Sequence, residues 1–464
     1  MDSPQTDWNS NDEFFKFTRG RFLVEEAENL RKREIRFDLN RLARVAADSV
    51  GAAQCVSITK YPDGMFNKAF LITMDNGREV VAKVPNPNAG IPHFTTASEV
   101  ATMDFARNIL DTPAPHVYTW NSQAESHPVG AEFIIMQKVE GMPLSQVWDR
   151  ISLPQKLQVL LAMTCLQKQW LSVSFSHYGS LYYAGDVQPS VDSHYVKHDT
   201  IVRDPKQGLL NIERGPLGTR EIKAIQSLKP PKQIALFCGP KLYQPNTENK
   251  ITALTWYQQI IDFLIPTAVA ITKPYLWHND LHDDNVFVDP QNPERITGII
   301  DWQSCHISPL FNHNPDPAFL DFDGLEPERR LIWRHGRDRF AAVQEYTLQN
   351  ILVGWRKLMH AKNANLYRVV EFRKTAAYGL IFLAHRMFEY GEAHFQSLLV
   401  DLEHTWKDSP AVASEVPFPI QFIEQERYAE CKAVLAQVKS QMLAQLAATE
   451  EERLEYERYW PFDP

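Results

Sequence analysis

Apolar side chains recur every three or four positions in two stretches near the start of the chain, at residues 25–30 and 37–47. This spacing is typical of an amphipathic helix, because it gathers the apolar side chains on one face. A basic cluster at residues 31–36 separates the two stretches, and we interpret it as a solvated helix face. The pattern therefore predicts an N-terminal helical extension over residues 1–50.

The pattern then changes to an alternation of apolar and polar residues, which is typical of half-buried strands. The alternating stretches are residues 56–60, 68–74 and 79–84. Asn76 and Gly77 lie between the last two, and this pair favours a tight hairpin because both residues tolerate positive φ. A further apolar run at 131–139 completes a predicted sheet, so we expect one small domain over residues 51–139.

Helical spacing returns in the rest of the chain, residues 140–464, which we predict to be mostly helical. The predicted helices lie at 153–173, at 251–271 directly before a polar stretch, and near 421–459 at the end of the chain. Residues from about 175 to 250 are irregular and rich in Gly, Pro and charge. Loops of this length are usually functional or disordered, and we interpret this one as an insertion that lines a ligand pocket.

Three polar residues with a characteristic spacing are the strongest chemical signal. Asp280 precedes Asn285 by five residues, and Asp301 follows sixteen residues later at the end of an apolar stretch. Residues 285–288 and 296–300 are predicted to form a hairpin that brings Asn285 and Asp301 to one site. Phosphoryl transfer needs such a set, with one carboxylate to orient the attacking hydroxyl and two oxygen ligands for Mg²⁺. Asp and Asn are also common turn residues, so a polar loop without chemistry is the competing interpretation.

These residues resemble the aminoglycoside phosphotransferase and choline kinase family, and most of all its fungal phosphotransferase-domain proteins named for altered inheritance of mitochondria. The resemblance covers residues 50–330. It implies an α+β, bilobal, protein-kinase-like fold with a small antiparallel-sheet N-lobe, which includes a hinge, and a large, mostly helical C-lobe. It also implies that ATP and Mg²⁺ are bound, with Asp280 as the catalytic base and Asn285 and Asp301 as the metal ligands. The remaining residues implied to contact the nucleotide are Lys83, Glu99, Gly64, Gln137 and Val139.

Lys83 ends the third predicted strand in a Val-Ala-Lys sequence that is similar to the phosphate-binding lysine element of kinases. Glu99, in the next predicted helix, is its candidate ion-pair partner. Glu99 also follows Thr96 with the spacing of a capping box, in which it would only close the start of the helix. Gly64 lies alone in the turn at 62–67, and an ordinary hairpin turn explains it equally well.

The overall composition narrows the class of protein. With 44% hydrophobic and 23% charged residues, the chain is typical of a soluble globular protein. Its net charge of −9 argues against a nucleic-acid partner and is compatible with a cationic ligand. No apolar run approaches the roughly 18 residues that span a membrane. The acidic N-terminus is unlike a mitochondrial transit peptide, so we expect a cytoplasmic location, with mitochondria as the alternative.

We therefore predict a small-molecule kinase that transfers the γ-phosphoryl group of ATP to a hydroxyl group of an acceptor. The acidic net charge of the chain is compatible with a cationic acceptor. A protein kinase fits less well, because no Asp-Phe-Gly or Ala-Pro-Glu element follows the candidate base. A catalytically weak nucleotide-binding scaffold of the same fold is the alternative. An acidic and aromatic stretch at 316–326 is a candidate acceptor site or a polar linker. The kinase hypothesis requires Lys83 and Asp301 to lie close together.

Overall fold

The computed structural model describes most of the chain and divides it into two compact units. The first unit comprises residues 1–214, 274–308 and 317–319, and the second comprises 215–273, 309–316 and 320–464. The described residues are 7–22, 25–187, 201–202, 209–213, 247–303, 305–320, 339–387, 392–406, 417–420 and parts of 432–458. The predicted division at residues 50 and 139 remains a prediction.

A five-stranded antiparallel sheet forms the core of the first unit, with the order β1-β2-β3-β5-β4. Its strands are β1 (Cys55–Lys60), β2 (Asn67–Met74), β3 (Glu79–Pro85), β4 (Val117–Asn121) and β5 (Phe133–Gln137). Three of them, β1 to β3, lie where the alternating pattern predicts strands, and β5 lies in the predicted apolar run at 131–139. The predicted hairpin at Gly77 is confirmed, since Gly77 has a φ of 79° and its N–H donates to Met74 O at 3.0 Å. The half-buried β4 has no comparable pattern, and the sequence analysis missed it.

Two helices form in the predicted N-terminal extension, and the second of them packs against one face of this sheet. They are α1 (Glu26–Arg31) and α2 (Leu39–Ser49). The side chain of Asp38 caps α2 by accepting a hydrogen bond from Arg41 N at 3.0 Å. Leu39 and Leu42 of α2 join Phe70 and Ala82 of the sheet in one buried apolar cluster. Because side chains alternate along β3, Lys83 points to the opposite face of the sheet from Ala82.

A second, three-stranded sheet carries the predicted polar hairpin, in the order β12-β11-β6. Its strands are β6 (Met142–Pro143), β11 (Val286–Val288) and β12 (Ile296–Ile299). The segment after β5 approaches this sheet closely at Gly141, which has a φ of 91° and whose added Cβ would lie 2.3 Å from Val288 O. Only glycine allows both this backbone conformation and this contact.

A third sheet, in the order β10-β13-β7-β9-β8, leads the chain into the polar stretch. Its strands are β7 (Gly179–Tyr183), β8 (Ile201–Val202), β9 (Leu209–Glu213), β10 (Pro274–Trp277) and β13 (His306–Pro309). Two helices complete the first unit, namely α3 (Phe94–Asn108) and α4 (Leu153–Trp170). Of the predicted insertion at 175–250, residues 188–200, 203–208 and 214–246 lie outside the described residues.

The predicted helix at 251–271 is wrong in its extent. The structure has α5 (Thr247–Leu264), a separate short α6 (Val269–Thr272), and then the strand β10. Pro266 explains the break, because proline lacks the N–H that continues a helix and its ring clashes with the preceding turn. The polar stretch therefore follows a strand and not a helix.

The described part of the second unit consists mainly of helices. Besides α5 and α6 they are α7 (Arg339–Lys362), α8 (Ala364–Arg373), α9 (Ala376–His385), α10 (Glu392–Thr405) and α11 (Glu450–Arg458). With the antiparallel sheets of the first unit, they confirm the predicted α+β class. Among the described residues, no helix has the length and the apolar character that crossing a membrane requires. Residues 321–326 of the acidic stretch and 421–431 of the predicted C-terminal helix lie outside the described residues.

Candidate active site

Lys83 links three elements of the first unit through one ammonium group. Its Nζ lies 2.6 Å from Glu99 Oε1 on α3 and 2.9 Å from Asp301 Oδ1 after β12. Lys83 and Glu99 are both buried. Burial alone would lower the pKa of Lys83, but the two carboxylates outweigh burial and hold that pKa above its ordinary value. The requirement that Lys83 and Asp301 lie close together is therefore met.

Glu99 does not act as a cap. The helix α3 begins at Phe94, which places Glu99 in the second turn, and the Thr96 hydroxyl donates to Glu132 Oε2. Burial raises the pKa of Glu99, and the negative charge of Asp301 adds to this effect, whereas Lys83 opposes it. The capping-box alternative is therefore wrong, and the ion pair with Lys83 is the observed arrangement.

Asp301 lies at the end of β12 in a left-handed backbone conformation, with a φ of 61°. Few residues other than glycine adopt this conformation, and Asp and Asn are among those that tolerate it. The ammonium of Lys83 holds the pKa of Asp301 below its ordinary value, against the effect of burial. Its side chain is still 39% exposed, so the ionised carboxylate has room for a second partner.

The predicted hairpin places Asn285 beside Asp301. Val286 pairs with Ile299 across the hairpin, and Ile300 N donates to Asn285 O at 3.0 Å. The Asn285 amide nitrogen in turn donates to the backbone O of Asp280 at 2.9 Å. The amide oxygen is therefore the atom of Asn285 that remains to bind a cation.

Asp280 lies in the loop between β10 and β11 with its carboxylate exposed to solvent. The side chain is 57% exposed, and Oδ1 lies 2.8 Å from Nε2 of His282. An exposed carboxylate in a backbone-anchored loop can accept a proton from a bound hydroxyl group. Asp284, in the same loop, accepts a hydrogen bond from Ser145 Oγ at 2.6 Å, which ties the loop to the segment after β6.

The buried His278 side chain fixes the loop that carries Asp280. Its Nδ1 accepts from Asp280 N at 3.3 Å, and a backbone N–H can only donate, so Nε2 must carry the proton that it donates to Ile300 O at 2.9 Å. The ring also packs edge-on against Trp302, with ring centroids 4.9 Å apart. His278 thus joins the loop of Asp280 to Ile300, the residue before Asp301.

Replacing His278 should reduce the acid sensitivity of folding. Burial lowers the pKa of His278, so the unfolded chain takes up a proton there more readily than the folded chain does. This contribution to stability is present above the ordinary histidine pKa and is lost as the pH falls below it. For His278→Gln we expect the decline in unfolding free energy between pH 6 and pH 5 to be smaller by up to about 1.4 kcal/mol per pH unit.

Urea unfolding across this pH range would measure the effect. His385 and His394, whose pKa values burial also lowers, remain in the variant, so part of the decline should persist. If the unfolding free energy of His278→Gln declines with pH as steeply as that of wild type, the assignment of a neutral buried His278 ring is contradicted.

Three further residues are predicted from the sequence to contact the nucleotide. They lie on two backbone segments, away from the group formed by Lys83, Glu99 and Asp301. Gly64 lies in the turn between β1 and β2, residues 61–66, which we call the β1–β2 turn. An added Cβ at Gly64 would make only an ordinary 3.4 Å contact, so the turn does not require glycine. Gln137 ends β5, and Val139 packs against Gly298 of β12. The roles of Gly64, Gln137 and Val139 remain predictions.

A cavity of about 700 Å³ lies beside the segment after β5. Its lining includes Gln137, Val139, Arg107, Cys165 and Arg295. Among the residues that the structure describes, this lining contains neither Lys83 nor Asp301. The cavity is therefore separate from the ion-pair cluster of Lys83, Glu99 and Asp301.

The donor set at Asn285 and Asp301 suits a magnesium ion held on a nucleotide. In the described parts of the chain, no group of three or more His, Cys, Asp or Glu residues could hold a metal ion. Such a group is not needed here, because Mg²⁺ typically takes one or two protein ligands and fills its other positions with phosphate oxygens and water. One amide oxygen and one ionised, partly exposed carboxylate fit this requirement.

The sequence analysis missed one polar link to the site. Asn67 Nδ2, at the start of β2, donates to Gln303 Oε1, and Gln303 Nε2 donates to Ala89 O at 2.9 Å. Gln303 lies two residues after Asp301, so this link ties the end of the β1–β2 turn to the segment that carries Asp301. Neither residue type carries a motif, and no sequence signal pointed to the pair.

Comparisons with known proteins agree with the family resemblance. Residues 240–312, which contain Asp280, Asn285 and Asp301, match the phosphotransferase enzyme family. A subtelomeric hrmA-associated cluster protein of Aspergillus fumigatus is 31% identical over 320 residues, which cover 59% of this chain and 62% of that protein. Altered inheritance of mitochondria protein 9, mitochondrial, of Zygosaccharomyces rouxii is 24% identical over 408 residues, or 68% of this chain and 65% of that protein. The resemblance inferred from the sequence is confirmed.

Solved structures of aminoglycoside phosphotransferases are similar at a lower level. The streptomycin–ATP–APH(2")-IIa ternary complex has a TM-score of 0.38 and 15% identity, covering 76% of this chain and 97% of that one. The GDP complex of aminoglycoside 2'-phosphotransferase-IIIa has a TM-score of 0.39 and 13% identity, covering 86% and 98%. The chain spans about three fifths of the length of its A. fumigatus relatives.

Proposed function

We propose that this chain is an ATP- and Mg²⁺-dependent phosphotransferase that moves the γ-phosphoryl group to a hydroxyl of a small molecule. The observation that carries the proposal is the position of the Lys83 ammonium, 2.6 Å from Glu99 and 2.9 Å from Asp301. This arrangement holds one buried cation beside one ionised carboxylate at the end of a hairpin that also carries Asn285. Phosphoryl transfer depends on such positioned charges more than on covalent chemistry.

Each residue has a distinct role in this proposal. Lys83 binds phosphate oxygens, and Glu99 keeps its ammonium in place. Asn285 and Asp301 hold the metal ion, which supplies positive charge to the phosphates when it is bound. Asp280 accepts the hydrogen bond of the acceptor hydroxyl and takes its proton as the oxygen attacks. Backbone groups of the β1–β2 turn near Gly64 contact the phosphates of ATP. Backbone groups of Gln137 and Val139 contact its adenine ring.

The class of acceptor is the open part of the proposal. A cationic acceptor is compatible with the net charge of −9, but an overall charge does not locate a binding site for an amine. Asp316, from the acidic stretch, gives no support to an amine site, because Arg356 and Trp355 already bond to its carboxylate. We therefore define the acceptor only as a small molecule with an alcohol group.

Nucleotide binding and turnover can be tested separately. Thermal-shift titration with ATP, with and without Mg²⁺, should show stabilisation that depends on the metal. Incubation with γ-labelled ATP and a metabolite extract, followed by mass spectrometry, should then reveal new phosphate esters. Metal-dependent binding without transfer to any hydroxyl compound would favour the nucleotide-binding scaffold. Absence of binding would contradict both functions.

Asp301→Asn should remove the metal dependence of nucleotide binding. Asparagine tolerates the left-handed backbone at this position, so the local fold should persist. It lacks the charge that a hard cation prefers. We expect affinity for ATP in the presence of Mg²⁺ to fall by at least the roughly 10-fold that even outer-shell changes cost a metal site. Calorimetric titration measures this fall, with metal-free ATP as the control; an undiminished Mg²⁺ effect would remove Asp301 from the metal site.

A further inference from the structure

A buried charged cluster lies directly behind the β1–β2 turn. The carboxylate of Asp63 is completely buried. Its Oδ2 accepts from Lys60 Nζ, Thr18 N and Thr18 Oγ1, each at 2.8 Å, and its Oδ1 accepts from Lys68 Nζ at 3.3 Å. Asp63 immediately precedes Gly64. The cluster is formed in part by a segment about 45 residues earlier in the chain.

That segment, residues 13–19, we call the N-terminal strap. The backbone O of Lys16 accepts from Lys60 Nζ at 2.7 Å and from Lys68 Nζ at 3.1 Å. Phe14 fixes the strap to the sheet, because its ring packs edge-on against Phe70 of β2 with centroids 6.0 Å apart. The buried Phe15 packs in the same way against Phe37, with centroids 5.4 Å apart. The strap therefore runs from the apolar face of the sheet to the β1–β2 turn.

Burying these charged groups costs desolvation free energy, which indicates that the cluster has a role beyond packing. Burial raises the pKa of Asp63, but hydrogen bonds from Lys60 and Thr18 outweigh burial and hold the pKa below its ordinary value. Burial lowers the pKa of Lys68 despite the neighbouring carboxylate. Apolar side chains of similar volume usually serve stability equally well or better than buried charges. What charged hydrogen bonds add is a fixed geometry.

The turn is also held on its other side, next to the candidate active site. Asn86 N donates to Phe66 O at 2.8 Å, and Asn67 bonds to Gln303 beyond Asp301. Between Asp63 on one side and Asn67 on the other lie Met65 and Phe66, which are exposed. The Gly64 N–H donates to Asn67 O at 3.1 Å within the turn, so the N–H groups offered to a ligand are those of Met65 and Phe66. A turn fixed at both ends holds these groups in one arrangement, which reduces the entropy lost when a ligand binds.

We propose that the N-terminal strap, through Thr18 and Asp63, positions the β1–β2 turn for binding nucleotide phosphates. This inference rests on the proposed function, because it assigns that turn to the phosphates of ATP. Thr18 and Asp63 are positioning residues, which act through the turn and do not touch the nucleotide. The N-terminal extension is thereby a working part of the nucleotide site.

The test compares a ligand with phosphates and a ligand without them. Dissociation constants of ATP and of adenosine are measured by calorimetry on the full chain for wild type, Thr18→Ala and Asp63→Asn. We expect ATP to bind about 3-fold more weakly to Thr18→Ala and about 10-fold more weakly to Asp63→Asn, from the loss of charge-assisted hydrogen bonds. Adenosine binding should stay unchanged. Hydrogen exchange at the amides of residues 64–66 should become faster in both variants without any ligand.

Ser10→Ala is the matched control, because within the described part of the chain the Ser10 hydroxyl bonds only to Asp7 O, at 2.7 Å, in the same extension. It should behave like wild type in every measurement. If the variants bind ATP and adenosine more weakly to the same degree, the strap has only a general structural role and the inference fails. Unchanged ATP binding would also overturn the inference. If Asp63→Asn does not fold, Thr18→Ala decides, since Thr18 is exposed. Failure of wild type to bind ATP would instead remove the proposed function.

Discussion

Asp280→Asn is expected to lower turnover by about 10²–10⁴-fold, which is the usual contribution of a positioned general base. The substitution keeps the shape of the side chain and removes its ability to take a proton. The loop should keep its conformation, because the backbone of Asp280 makes its anchoring bonds, with its N–H donating to His278 and its O accepting from Asn285. ATP affinity should therefore stay close to that of wild type.

Steady-state kinetics with an identified acceptor, together with calorimetric ATP binding, would measure both quantities. Asp289→Asn is the matched control, since Asp289 stabilises the β11–β12 turn through Gln291 N and Asn292 N, and asparagine serves such turns equally well. A variant at position 280 that turns over as fast as the Asp289→Asn control would exclude Asp280 as the base.

The sequence predicted the parts of the site that depend on local order. Asp280, Asn285 and Asp301 lie within one continuous stretch, so their spacing and the intervening hairpin could be inferred from strand and turn patterns. The structure places Asn285 and Asp301 at the same end of that hairpin. The pairing of Lys83 with Glu99 followed from a resemblance, and geometry was needed to decide between an ion pair and a helix cap.

Contacts between distant residues of ordinary type were beyond the sequence. Asn67 and Gln303 are 236 positions apart, and Thr18 and Asp63 are 45 apart. Asparagine, threonine and aspartate are common in turns and carry no motif, so nothing marked them as partners. The end of α5 is different, because Pro266 was a visible signal that the helical periodicity on both sides of it obscured.

Lys83 also gives the alternative scaffold function a physical test. A scaffold needs the ion pair only for stability, whereas a kinase needs the same ammonium free to exchange carboxylate for phosphate contacts. In the structure the Lys83 ammonium pairs with the carboxylates of Glu99 and Asp301, and the Asp301 side chain is the more exposed of the two. Asp301 is thus the partner that can turn toward a metal ion while Glu99 retains the lysine.

Lys83→Met should reduce the unfolding free energy by about 3–5 kcal/mol at neutral pH, the usual cost of leaving a buried charge unpaired. Glu99 would lose its counter-charge in a buried site where its pKa is already raised. A carboxyl whose folded pKa lies above its unfolded pKa contributes stability at low pH and loses it as the pH rises through the folded value. The deficit of the variant should therefore shrink as the pH falls from about 8 to about 5.

Chemical denaturation of wild type and variant across this pH range would measure the deficit. Lys138→Met is the control, because Lys138 forms an exposed ion pair with Glu79 on the same sheet and should contribute at most about 1 kcal/mol. The double variant Lys83→Met with Glu99→Gln should regain part of the lost stability, since the unpaired charge is gone. A deficit that neither acid nor Glu99→Gln reduces would show that Lys83 stabilises the fold by packing and not by pairing with Glu99.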